Sequence, residues 1–357
     1  MPIETERRWI VHQLEGFNRD NKVVPKVIEQ AYPNPYRDPC VRVRITDGEK
    51  SELTSKSGSG LVREERPTPI GLLAARVLYD ATPYRLKKLR FVIDGWEVDC
   101  YQDNLRGLVV LEREFASNEV MATLPPWVTD AYEVTETLDN RQLAILAAHG
   151  FDAATIREDR VPKKIVLTGG PTAGKSSMLT AITGALNRHV HVIPEVATIN
   201  FSHLQVGIPT DHDHARRYNV HAVEMQRIFE DLGRLHAHQT GRQAVVMDRG
   251  VLDNEAYCPD VLQLIGSSRE REYSEYLAVI HLAVSPEGIY DQLRGNNPAR
   301  PASETYAVAM RLEESIRQSW GRHPNYHFVD NRGDWVTKEQ RVLSLIFDDI
   351  LRLPRDY

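Results

Sequence analysis

The sequence predicts a two-domain α+β protein: an antiparallel β domain over residues 1–148, a linker over 149–162, and an α/β domain with a mostly parallel sheet over 163–357. Three observations predict it. Charged residues alternate along short strands in the first part, and strands alternate with helices in the second. Between them, KIVLTGGPTAGKSS places an apolar strand directly before a glycine-rich loop. A chain of 357 residues is too long for one ordinary core, which supports the division. The net charge of −6 gives no global attraction to nucleic acid or anionic membrane, so any anion site must come from local clusters of Arg and Lys. No apolar run approaches a membrane span, and MPIETERRWIV has charges where a signal peptide needs an apolar segment. Cys40, Cys100 and Cys258 are too scattered for a disulfide framework or a zinc site. A cytoplasmic protein without membrane partners is expected.

In chain order, ETERRWIV, CVRVRITD, SELTSK, LVREER, KKLRFVIDGWEVDCYQ and GLVVLEREF read as strands, with turns at Asp47-Gly48, Ser57 to Gly60 and Asp94-Gly95. Strand side chains alternate between faces, so Glu4, Glu6 and Arg8 share a side. So do Arg42 and Arg44, Thr54 and Lys56, Arg63 and Glu65, Lys88 and Arg90, and Glu112 and Glu114. One such strand alone reads as a solvated outer face. Several together are compatible with a closed barrel whose charged faces turn inward, leaving Val41, Val43 and Ile45 to pack outward against a covering layer. An interior holding both signs calls for a ligand. A polyphosphate would neutralise the cations, and a divalent metal on the carboxylates would bridge it.

A helix, LDNRQLAILAAHG, closes this part, and a polar stretch follows as the linker. In the second domain Gly169, Gly174, Lys175 and Ser176 fill G-x4-G-K-[ST], with Gly170, Thr172 and Ala173 inside the loop and Ser177 after it. The glycines let backbone N–H groups face phosphate oxygens, and the helix MLTAITGAL presents its positive end to the same anion. Lys175 is suited to the outer phosphates and Ser176 to the magnesium that bridges them, with ATP or another nucleoside triphosphate as substrate. KIVLT, HVHVIP, AVVMD, YLAVIHLAV and YHFVD, separated by helical stretches, read as a parallel sheet covered on both faces. His212 and His214, in DHDHARRYN, have a spacing that suits no metal signature and read as a polar loop before a core-facing helix.

Glu4-Thr5-Glu6-Arg7-Arg8 resembles the ExExK signature of the CYTH, or triphosphate tunnel metalloenzyme, superfamily, with Arg8 in place of the usual Lys. The resemblance continues through VRVRI, LTSK, KLRFVIDGWEVDCY, GLVVLEREF and EVTETLDNRQLA, nearly the whole first domain. It implies an eight-stranded antiparallel tunnel in which Arg and Lys hold a triphosphate and Glu residues bind Mg2+ or Mn2+. Carried over by position, Glu4, Glu6, Glu112 and Glu114 become metal-side residues, with Glu4 or Glu6 orienting the attacking water. Arg8, Arg42, Arg44, Lys56, Arg63, Lys88 and Arg90 become phosphate-side residues. The usual R-x-E-x-E strand departs here to Arg63-Glu64-Glu65-Arg66-Pro67, which loses one acid and is expected to break the strand at Pro67. Members of the superfamily act on inorganic triphosphate, thiamine triphosphate or RNA ends, or cyclise ATP. Without an aromatic-rich basic stretch, a small inorganic or nucleoside triphosphate is favoured here and an RNA 5′ end stays open.

In the second domain, Asp248-Arg249-Gly250 resembles the D-R-[YGS] element of nucleoside and nucleotide kinases, which implies that Asp248 meets the magnesium through water. Glu195 falls where such kinases place an acid near the phosphoryl acceptor. The segment LRGNNPARPASETY resembles their arginine-bearing lid and offers Arg294 and Arg300. Residues 162–357 are similar to the kinase-like P-loop domain called AAA_28. The leading expectation is a metal-dependent triphosphatase fused to a P-loop kinase or NTPase. The alternatives are a kinase whose tunnel only senses a triphosphate, and an NTP-driven switch. The acceptor and the oligomeric state are not written in the sequence.

Overall fold

The computed structural model describes residues 3–17, 23–57, 62–115, 123–135, 137–207, 209, 211–294 and 305–354. The chain divides into two compact units between Val161 and Pro162.

The first unit comprises β1 (Ile3–Leu14), β2 (Lys26–Ala31), β3 (Cys40–Thr46), β4 (Lys50–Ser57), β5 (Val62–Pro69), α1 (Leu72–Asp80), β6 (Arg85–Ile93), β7 (Trp96–Tyr101), β8 (Val109–Phe115), β9 (Val128–Glu133), α2 (Asn140–Ala148) and α3 (Ala153–Arg157). Its strands run β5-β4-β3-β2-β6-β7-β8-β1-β9, all antiparallel, and β5 also pairs with β1. That last pairing, Ile3↔Glu64 to Thr5↔Val62, closes a ring of eight strands, as expected. The ninth strand, β9, runs beside the second half of β1 from Trp9 to Leu14.

Local sequence explains the turns. At Asp47-Gly48 and Asp94-Gly95 both residues have positive φ (51° and 69°; 53° and 79°), the pairing that a two-residue hairpin with native twist requires. The expected break at Pro67 does not occur: β5 runs to Pro69, with Thr54↔Pro67 and Glu52↔Pro69 paired. Beyond Glu64, β4 is the only neighbour of β5 among the described residues, so the missing N–H of Pro67 removes no bond on the open side.

Outside the ring, Ala31, Val43 and Ile45 pack under Ala75 and Tyr79 of α1, while Trp9, Val11, Trp96, Val98 and Leu111 form a second apolar face. The inward side is charged at one level and apolar at another. Ile10, Leu86, Tyr101 and Val110 join Leu143, Ala144 and Ala147 of α2, so a helix plugs that level. The N-terminus of α2 is fixed by a capping box between Asp139 and Gln142. Phe151, Ala153, Ile156 and Val161 belong to the same cluster, so the segment read as a linker packs into the first unit.

The second unit comprises β10 (Lys163–Thr168), α4 (Lys175–Leu186), β11 (Val190–Ile193), α5 (Val196–Thr198), α6 (His212–Gln239), β12 (Ala244–Asp248), α7 (Val261–Ile265), α8 (Arg269–Tyr273), β13 (Ala278–Leu282), α9 (Glu287–Arg294), α10 (Tyr306–Trp320), β14 (Tyr326–Val329) and α11 (Trp335–Ser344). The five strands are parallel in the order β11-β12-β10-β13-β14. β10 is central, so the loop at its carboxyl end sits where the strand order reverses. Ile165 and Leu167 pack with Met178, Ile182 and Val342 on one face, and Val166, Val245 and Met247 with Ile316 and Trp320 on the other.

The stretch read as a loop at His212 and His214 is instead the first turn of α6. Asp211 accepts the backbone N–H of His214 at 2.8 Å, satisfying a donor that a helix start otherwise leaves open. Among the described residues, no helix is long and apolar enough to cross a membrane.

His281 of β13 is fully buried, and its Nδ1 lies 2.8 Å from Tyr326 Oη. Burial pulls its imidazole down from 6.5 to about 4. The unfolded chain therefore takes up a proton near pH 6.5 that the folded chain refuses until about pH 4, and stability falls as pH drops through that window. Replacing His281 by Gln is expected to shrink the stability difference between pH 7 and pH 5 by about 2 kcal/mol, read from urea midpoints at both pH values.

Candidate functional site

In the barrel, alternation and closure bring the inward residues of β1, β6, β7 and β8 together. Arg8 pairs with Glu6 and donates from Nε to Glu112 Oε1 at 2.9 Å. Arg90 donates to both oxygens of Asp99 at 2.7 and 2.6 Å and to Glu112 Oε2 at 2.7 Å, and it also pairs with Glu97. Lys88 Nζ reaches Asp99 at 2.5 Å and Asn140 Oδ1 at 3.0 Å. On the neighbouring strands, Arg42 donates to Thr54 at 3.0 Å and Glu52 at 3.3 Å. Arg44 lies 3.5 Å from Glu52, and the side-chain oxygen of Gln30 accepts from it at 2.9 and 3.0 Å.

Burial sets the electrostatics. It works to raise Glu112, but Lys88, Arg8 and Arg90 hold that carboxyl well below the usual range. Burial pushes Glu97 up, with Arg90 opposing, and pulls Lys88 down against Asp99. Among the described residues, buried Arg8 Nη1 has no hydrogen-bond partner, a cationic donor for which an anion is the natural mate.

Glu6, Glu97 and Glu112 each offer a carboxylate oxygen, and these oxygens lie within 4.8 Å of one another. An all-carboxylate set of this kind fits a hard divalent ion such as Mg2+ or Mn2+. Glu114 stands opposite Glu6 in register but is exposed and outside this group. Glu97 and Asp99 were missed among the candidates, although WEVDCY carries the same alternation of charge that singled out the other strands. The side chains of Glu4, Lys56 and Arg63 lie outside the described residues, as do that of Arg294 and the whole of Arg300.

In the second unit the loop Gly169–Gly174 turns through left-handed backbone at Gly169 (φ 143°), Thr172 (60°) and Gly174 (89°). A Cβ on Gly169 would run into the carbonyl oxygen of Leu282, and one on Gly170 into Val284, so the cradle depends on both glycines. Lys175 Nζ is buried and donates to Gly169 O at 3.1 Å, while Ser176 and Ser177 are exposed at the start of α4. Ala173 is buried behind the loop. Ser285 Oγ donates to Thr172 O at 2.6 Å.

Around Lys175 stand Asp248, Arg249 and Glu195. Asp248 is buried at the end of β12 with Oδ1 unpartnered among the described residues, which fits a bound divalent ion. Burial, with Glu195 nearby and Lys175 opposing, pushes Asp248 up to about 6. Arg249, itself at φ 73°, donates to Glu195 at 2.6 Å and Asp253 at 3.1 Å. Burial works to raise Glu195, yet Arg249 and Lys175 bring it down to about 2. Asp253 also accepts from Thr168 at 2.5 Å, Gly250 N at 3.0 Å and Trp320 Nε1 at 2.9 Å, tying the phosphate loop to α10. No motif marks Asp253.

Lys338 of α11 carries no motif either. Its ammonium donates to Ala173 O at 3.2 Å, Ala283 O at 3.0 Å and Asn331 Oδ1 at 2.8 Å. Replacing it with Met would leave these acceptors short of a donor, and a loss of about 2–4 kcal/mol is expected in denaturant unfolding. An unchanged midpoint would show that water replaces the ammonium without cost.

Residues 164–339 match the model of the AAA domain family (AAA_28). No curated protein matches the chain. Among solved structures, an inorganic triphosphatase is 26% identical, with 40% of this chain and 95% of that one covered and a TM-score of 0.31. Shikimate kinase from Acinetobacter baumannii, in complex with shikimate, is 17% identical, covering 55% and 98% at a TM-score of 0.35. Deoxyadenosine kinase from M. mycoides with bound dCTP is 12% identical, covering 51% and 98% at 0.34. Residues 164–339 are thus similar to the AAA_28 type of P-loop domain, and the closed antiparallel ring of the first unit has the architecture expected of a triphosphate tunnel.

Proposed function

We propose that the barrel hydrolyses a small inorganic or nucleoside triphosphate with a divalent metal, and that the second unit binds ATP as a kinase or NTPase. The observation that carries the first half is the meeting of Glu6, Glu97 and Glu112 beside Arg8 and Arg90 inside a closed ring. Held by those carboxylates, the metal would supply charge neutralisation and a more acidic bound water. Arg8, Arg42, Arg44 and Arg90 would hold phosphate oxygens, with Glu112, bonded to Arg8 and Arg90, keeping those two in position. Glu6 or Glu97 would orient a water toward the terminal phosphorus. The water oxygen bonds to phosphorus and the bridging P–O bond breaks; one water proton stays on the new phosphate and the other passes to the released phosphate or to solvent.

In the second unit, the loop N–H groups and Lys175 would take the nucleotide phosphates, with Ser176 and Asp248 on the metal side and Glu195 facing the acceptor. The complete loop in the matched region supports this reading. Phosphate release from tripolyphosphate, ATP and GTP with Mg2+ or Mn2+ tests the barrel. Transfer of labelled phosphate to a panel of nucleosides tests the second unit. One observation favours a sensing barrel instead: Pro67 occupies the register position beyond Thr54 and Arg42, where the related pattern has a carboxylate. Tight tripolyphosphate binding without release under either metal would decide for sensing.

A further inference from the structure

Trp335 opens α11, at the start of the same helical turn that sends Lys338 to the phosphate loop. A Cβ on Gly174 would come within 2.5 Å of Trp335 Cζ3 and 2.8 Å of Cη2, so the benzo edge of the indole abuts the last glycine of the cradle. The opposite edge is held as well, since Nε1 donates to Glu339 Oε2 at 3.1 Å. Pinned at both edges, the residue as a whole still keeps 39% of its surface exposed. Of the five tryptophans, Trp9, Trp96 and Trp320 are buried and Trp127 is partly covered, so this is the one that offers an open aromatic surface. An aromatic surface fixed beside a phosphate cradle has the form of a stacking platform, since every nucleobase has a flat π-face and gains from contact with a rigid ring.

Resting on the reading of the second unit as a nucleotide binder, we infer that Trp335 is the base platform of that site: the nucleobase of the bound nucleotide stacks on it while the phosphates lie in residues 169–176. Gly174 is then glycine for two reasons. Its φ of 89° turns the loop, and its missing Cβ lets the indole reach the cradle.

The test uses the full chain and MgADP, followed by calorimetry and tryptophan fluorescence. Trp335→Leu is expected to weaken MgADP binding at least about tenfold, whereas Trp335→Phe, which keeps an aromatic face, stays within about threefold. The fluorescence change that MgADP causes in the wild type should vanish in the Phe variant although binding heat persists. Lys175→Ala should remove the binding and so assign it to this site. Equal MgADP affinity in wild type and Leu variant overturns the platform and leaves the P-loop reading standing. A wild type that binds no MgADP, or binding indifferent to Lys175→Ala, overturns the P-loop reading with it. Should the Leu variant fail to fold, the fluorescence comparison decides alone: a signal retained in the Phe variant refutes the platform.

Discussion

Phosphate release from tripolyphosphate is expected to fall by roughly three orders of magnitude or more when Glu6 and Glu97 are both replaced by Gln, with the fold retained. The choice of pair follows from burial. Glu112 sits between Arg8 and Arg90, fully enclosed, and its removal would leave two buried guanidinium groups short of a partner, a change that unfolds proteins for reasons unrelated to catalysis. Glu6 and Glu97 are only partly buried, and Arg8 and Arg90 keep Glu112 after they are neutralised. Gln preserves size and hydrogen bonding while removing two of the three charges that would hold the metal. Tripolyphosphate binding should persist, because its cationic partners remain. Release at the wild-type rate in a folded double variant would mean that these carboxylates hold no catalytic metal.

Lys175→Ala is expected to abolish ATP turnover assigned to the second unit while sparing tripolyphosphate hydrolysis by the barrel. The ammonium is enclosed, bonded to Gly169 O, and held low by burial and by Arg249. Its charge is already desolvated in the loop, so an incoming phosphate gives it an anionic acceptor in place of, or beside, a neutral carbonyl. Without it, Arg249, which reaches Gly169 O at 3.5 Å, is already committed to Glu195 and Asp253. ATP turnover unchanged in a folded variant would contradict the assignment, and so would a parallel loss of tripolyphosphate hydrolysis.

The second unit was the more legible half because its physics is one-directional. Strands buried on both faces must be apolar throughout, and VLT, AVVM and AVIHL have few other uses. The barrel inverts the usual rule by turning charge inward, so alternation gave the faces of β3, β6 and β8 without saying which one was inside. β9 stayed hidden because VTDAYE is half-exposed and flanks a ring that closes without it. Pro67 misled because strand-breaking depends on whether a neighbour needs the missing N–H, which one strand's sequence does not reveal. Asp253 and Lys338 escaped for a different reason. Each acts by meeting backbone or side-chain atoms far along the chain, and only the fold brings those atoms into reach.

The triple partnership of β1 also dictates when the barrel can form. Its residues pair with Glu64 to Val62, with Phe115 to Val110 and with Glu133 to Val128, so β1 must wait for partners that follow it by about 50 to 130 residues in the chain. On a ribosome, β2 to β4 can zip into hairpins as they emerge, but the ring stays open until residue 115 has left the exit tunnel. During that interval β1 exposes Trp9, Ile10 and Val11 without their β8 partners, so slow synthesis between residues 69 and 115 should increase recruitment of chaperones to the nascent chain.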